Sequence, residues 1–164
     1  MAKSDSFFIR ASVDLNGTTY TQQSIDLGAY VDALGKSVLR VHNIAVQYGS
    51  NGVDAPSIPT GQHRTGFSLM TQSNTDLPGA DDRSVIATGS LFATENPTGG
   101  ATISESLDVA PQHWTNGYLV AVEQIYLAAK ETADIGLTEV NIVMECTVET
   151  LSQSAAMALA LSQQ

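Results

Sequence analysis

The ten residues Val140–Glu149, Val-Asn-Ile-Val-Met-Glu-Cys-Thr-Val-Glu, constrain this chain more than any other stretch. Val140, Ile142, Met144, Cys146 and Val148 share one parity. Asn141, Glu145, Thr147 and Glu149 share the other, with Val143 the apolar exception. A period of two lays the apolar side chains along one face of an extended strand and turns a mostly polar face to water. Such a strand needs an opposing apolar layer, so the rest of the chain must supply a cover for it.

The remaining segments read as strands separated by turns. Ser6–Leu15 alternates Phe7, Ile9, Ala11, Val13 and Leu15 against Phe8, Arg10, Ser12 and Asp14, and closes at Asn16-Gly17. That pair is a strong tight-turn signal, which makes Thr18–Leu27 its expected hairpin partner. Gly28–Ser37 has room for one helical turn, ended at Gly35. Val38–Tyr48 changes parity midway, from Leu39 and Val41 to Ile44, Val46 and Tyr48, so a bulge is expected at His42-Asn43. Gly49–Arg64, with three glycines and two prolines, is a loop suited to binding or assembly.

Gly66–Thr71 and Ser84–Ala93 follow as strands, joined by the polar loop Gln72–Arg83. Ile103–Val109 carries Glu105 on its apolar parity and is placed at a sheet edge. Tyr118–Ala129 reads as one long apolar strand before the strand at Val140. Eight strand candidates without alternating helices predict an all-β, antiparallel β-sandwich. Eight strands in two packed sheets is the single jelly-roll pattern, although another eight-stranded sandwich fits the same signals. The expected domain is residues 1–164, with strands over about 6–149 and a C-terminal α-helix over about 150–164.

Composition narrows the function classes. The seven bases are Lys3, Arg10, Lys36, Arg40, Arg64, Arg83 and Lys130, set against 17 acidic residues for a net charge of -10. No two bases adjoin, so the clustered positive field that nucleic acid or an anionic membrane requires is missing from the sequence. No apolar run is long enough for a signal peptide or a membrane span. Cys146, the lone cysteine, falls on the apolar parity and reads as a small buried hydrophobe.

Motifs for catalysis are equally sparse. His42, His63 and His113 lie in three separate segments, without the paired spacing of a cupin metal site. A nucleophile elbow, a phosphate loop and a dinucleotide fingerprint are all lacking. Glu145 and Glu149 share the polar parity of one strand, the arrangement a glycosidase pair would use and also that of an ordinary solvated face. Asp76, Asp81 and Asp82 share a loop, a weak candidate for Ca²⁺ through oxygen ligands, with surface solvation the alternative. Asn16-Gly17-Thr18 matches a glycosylation acceptor and is explained as well by turn chemistry. The expectation is therefore no enzyme, no catalytic set and no cofactor.

Two apolar features remain. Thr150–Gln164 has no charged residue and is rich in Ala, Leu and Gln. At helical spacing Leu151, Ala155, Ala158, Leu159 and Ser162 fall together, with Met157 and Leu161 beside them. Burial on the chain's own sandwich and burial against a second subunit are both open. Trp114, near Tyr118, fits either a sugar-stacking platform or an interface. The interface candidates are Leu151, Ala155, Met157, Leu159, Leu161 and Trp114.

With eight strands in 164 residues, long polar loops at Gly49–Arg64 and Gln72–Arg83, and strands such as Leu39–Tyr48 and Tyr118–Ala129, the whole chain resembles the single jelly-roll capsid proteins of icosahedral viruses. The resemblance implies a structural, self-assembling subunit that forms a shell with copies of itself, and with other virion proteins as further partners. It implies a virion location after assembly in the host cytoplasm. Many such coat proteins carry a basic N-terminal arm, whereas Met1–Arg10 holds only Lys3 and Arg10, so little direct nucleic-acid contact is expected. The alternative is a carbohydrate-binding β-sandwich module.

Overall fold

In the computed structural model, which describes residues 3–32, 34, 36–49 and 57–164, the first strand pairs with the last. The elements are β1 (Phe7–Asp14), β2 (Thr21–Asp26), β3 (Ser37–Tyr48), β4 (Gln62–Met70) and β5 (Val85–Glu95). They continue as β6 (Ala101–Val109), β7 (Tyr118–Val120), β8 (Gln124–Glu131), β9 (Glu139–Thr150) and the helix α1 (Gln153–Ser162). One sheet has the order β1-β9-β3-β7 and the other β2-β8-β4-β5-β6. Every pairing is antiparallel, and β1 joins β9, β2 joins β8, β3 joins β7 and β4 joins β5. That is a ribbon of strand pairs wrapped about a common core, which is the jelly roll, with β6 added at one edge.

The parity of β9 works as its sequence dictates. Val140, Ile142, Met144 and Cys146 are each at most 1% exposed and face the opposite sheet. Leu39, Val41 and Ile44 of β3 lie beside them, and Phe67, Leu69, Ile125 and Leu127 close the core from the other layer. Burial pushes the Cys146 thiol up to about 12, so this cysteine behaves as an inert apolar group. The β3–β9 register skips between Val41 and Asn43, so the bulge falls at His42. β6 is an edge strand, as Glu105 predicts.

Three expectations are corrected. Asn16-Gly17 does form a turn, with the Thr19 amide donating to the Asn16 carbonyl (3.1 Å) and Gly17 at φ 55°. The flanking strands nevertheless do not make a hairpin, because β1 and β2 belong to different sheets. Their apolar residues, Val13 and Ile25 among them, meet across the core instead of side by side. The turn is stitched to both layers, Leu15 N–H to the Thr138 carbonyl (2.8 Å) and Glu131 N–H to the Gly17 carbonyl (3.3 Å).

Tyr118–Ala129 is two strands, making nine among the described residues, since the chain leaves one sheet after Val120 and enters the other at Gln124. Ala121 and Val122 are buried in the crossing, so the apolar run continues and nothing in it marks a break. The helical turn expected after Gly28 is present, with Tyr30 and Val31 amides both donating to the Leu27 carbonyl (2.8 and 2.9 Å). Its expected end at Gly35 lies outside the described residues, as do residues 50–56 of the Gly49–Arg64 loop.

The third correction concerns the buried face of α1. Ala156 and Ala160 are covered, and Leu119, Leu151 and Leu159 pack around them against Val38 and Ala121. Ala155 and Ala158 are exposed instead. Small side chains let the helix lie close on the outer face of the four-stranded sheet. Among the described residues no helix is long and apolar enough to cross a membrane.

Candidate functional site

The interface candidates divide by what α1 buries. Ser152 caps the helix by accepting from the Ala155 amide (3.3 Å). Leu151 and Leu159 are half-buried against the sheet, whereas Met157 and Leu161, one turn apart, are 44% and 69% exposed. Leu34 (80% exposed) belongs to the connection whose carbonyl accepts from Gln153 Nε2 (3.3 Å) at the first turn of the helix. Trp114 is 55% exposed and follows the short 3-10 turn Pro111–His113. Tyr118 lies half-buried on the inner parity beside Val120, and no ring stacking joins it to Trp114 among the described residues.

Two glutamines hold these surfaces in place, and neither stands out in the sequence. Gln163 accepts from the Ala121 amide (2.9 Å) and donates to the Leu119 carbonyl (2.6 Å), occupying the free edge of β7 as a neighbouring strand would. Gln112 does the same at Ile44, accepting from its amide (3.0 Å) and donating to its carbonyl (2.9 Å). The only sequence signal is an amide side chain near a strand too short to be closed by backbone alone.

The carboxylates considered for chemistry are engaged structurally. Glu149 meets Arg40 in a two-pronged pair, Nε to Oε1 at 2.6 Å and Nη2 to Oε2 at 2.8 Å, and the guanidinium also donates to the Asn116 carbonyl. The hydrogen bonds from Arg40 hold the Glu149 carboxyl below its ordinary range. Glu145 accepts from Asn43 (2.6 Å). His42, at the bulge, lies 2.9 Å from the Thr147 hydroxyl, and burial lowers its pKa.

In the β4–β5 connection, both Asp76 oxygens accept from Lys130 Nζ at 3.0 Å, and Asp82 Oδ1 accepts from the Ser84 amide and hydroxyl. Asp76, Asp81 and Asp82 therefore do not converge. Among the described residues no group of three or more His, Cys, Asp and Glu could hold a metal ion.

That connection also builds a feature the sequence does not announce. It folds back over the outer face of the five-stranded sheet, where the Asn74 amide donates to Gln22 (2.9 Å) of β2 and Leu77 lies on Gly66. A Cβ on Gly66 would come within 2.9 Å of Leu77 Cδ1, so the missing side chain sets how closely the connection lies. Between connection and sheet is a cavity of about 630 Å³. Its charged lining comes in opposed pairs, Lys130 with Asp76 and Arg64 with Asp108 at 3.8 Å. The Arg64 guanidinium stacks 5.1 Å from the Phe92 ring centre. Glu131, 2% exposed, turns its carboxylate to the opposite, core-facing side of the sheet, where Thr65 donates to its Oε1 (3.0 Å) and burial raises its pKa.

No family model and no curated protein matches this chain. The solved structures to which it is similar include viral coat proteins. Apo chimpanzee polyomavirus VP1 aligns with 90% of this chain and 96% of its own at 7% identity and TM-score 0.44. The unassembled pentamer of Merkel cell polyomavirus VP1 aligns with 88% and 94% at 6% identity and TM-score 0.40. Desmodium yellow mottle tymovirus aligns with 89% and 87% at 9% identity and TM-score 0.33.

Proposed function

We propose that this chain is a structural, self-assembling subunit, a viral capsid protein whose copies bury surface against one another. One observation carries the reading. The helix α1 is uncharged and already spends Ala156 and Ala160 on its own sheet, yet presents Met157 and Leu161 to solvent. An apolar pair on a rigid, charge-free helix is the composition of an interface core. Leu34, also exposed, belongs to the connection that Gln153 at the first turn of the same helix holds by its carbonyl. Arg40, Arg64 and Lys130 are paired with carboxylates, which disperses the positive field and leaves little of it for a genome.

Sedimentation and negative-stain microscopy with and without Ca²⁺ and high salt test the proposal. Closed particles or regular lattices from the native chain, reduced to monomer by Met157→Gln with Leu161→Gln at an unchanged melting temperature, are the expected result. A monodisperse monomer in every condition overturns it.

A further inference from the structure

The cavity beneath the β4–β5 connection has no part in that assembly surface, and its chemistry points to a ligand. We propose that it binds a neutral polyhydroxylated ring, one or two units of an uncharged saccharide. At about 630 Å³ it lies within the span of small-molecule sites, roughly 300–1,000 Å³.

The polar groups select the class. Arg64 and Asp108 face each other at 3.8 Å, too far for a hydrogen bond, so each keeps capacity toward a third group between them. A hydroxyl donates and accepts at one atom, and it can bridge a guanidinium and a carboxylate without adding charge. The other cation, Lys130, is held by both oxygens of Asp76, so the charges of these two pairs cancel and an anion gains little there. Thr88 spends its proton on the Phe67 carbonyl (3.0 Å), leaving its oxygen as an acceptor.

Leu77 and Pro78 supply an apolar wall for the C–H face of a ring.

Saturation-transfer NMR and calorimetry apply whether the chain is monomeric or assembled, so this test stands apart from that of the shell. The probes are glucose, galactose, N-acetylglucosamine and lactose, with inorganic phosphate, N-acetylneuraminic acid and glycine as charged comparators. The expected result is saturable binding of at least one neutral sugar. It should weaken about tenfold in Asp108→Ala and in Arg64→Gln, with both variants melting as the native chain does. Absence of transfer to every neutral sugar overturns the proposal. So does preference for phosphate, the acidic sugar or glycine, or binding that survives both variants and is lost in Trp114→Ala.

Discussion

Arg40 and Glu149 hold each other across the β3–β9 ladder through two hydrogen bonds, with only 15% and 8% of their side chains exposed. The pair sits on the outer face of the four-stranded sheet, two residues along β3 from the bulge at His42. It joins two central strands of that sheet to the Asn116 turn.

Glu149 therefore makes the fold acid-sensitive. Its carboxyl titrates below its ordinary 4.5 in the folded chain, so its contribution is full above that value and drains away as pH falls through the lowered one. Glu149→Gln is expected to cost about 1–3 kcal/mol at pH 7 and nothing once the native carboxyl is protonated. Urea midpoints measured across that range check the sign.

Glu131 has the opposite dependence. Burial raises its pKa, so the charged form is the one the fold disfavours, and stability is lost as pH rises through the raised value. Glu131→Gln is expected to raise the melting temperature at neutral pH and leave it unchanged in acid, below the carboxylate's ordinary range. A lower melting temperature at neutral pH would show that the charged form is held by partners other than Thr65.

Gly117 has φ 62°, and a Cβ there would lie 2.3 Å from the Val41 carbonyl oxygen. Both the left-handed backbone and the close approach exclude a side chain. Gly117→Ala is expected to cost about 1–3 kcal/mol and to displace the Trp114 turn from β3, visible as loss of the native tryptophan emission.

Gln163→Ala removes both bonds to the edge of β7 and leaves the buried Ala121 amide without its acceptor. We expect a loss of about 1–3 kcal/mol. Amide exchange should accelerate in α1 and β7 well before β3 or β9. Uniform acceleration would mean that α1 does not open as a separate unit.

What could be read from the residues was what parity and turn chemistry control. Val140, Ile142, Met144 and Cys146 face the core, His42 is the bulge, and Glu105 marks an edge. Each depends on a few neighbouring residues. The Asn16-Gly17 turn was legible for the same reason, but whether β1 and β2 pair is decided by Glu139–Thr150 and Gln124–Glu131, far along the chain. The break after Val120 was hidden because the crossing is as buried as the strands. The buried stripe of α1 was misplaced because Ala155, Ala156, Ala158 and Ala160 are equivalent until Val38 and Ala121 choose among them. Of the cavity, the sequence shows its parts, Arg64, Asp76, Asp108 and Lys130, without showing that they meet.

The position of β9 between β1 and β3 also sets an order of events during synthesis. Among the described residues β1 has no ladder partner in its sheet except β9, which begins at Glu139. The N-terminal strand therefore waits, unpaired, while more than a hundred later residues are made. Pairings this distant in sequence close slowly, on a millisecond-to-second scale in all-β domains. A truncation before Glu139 therefore leaves β1 with a bare edge open to other chains.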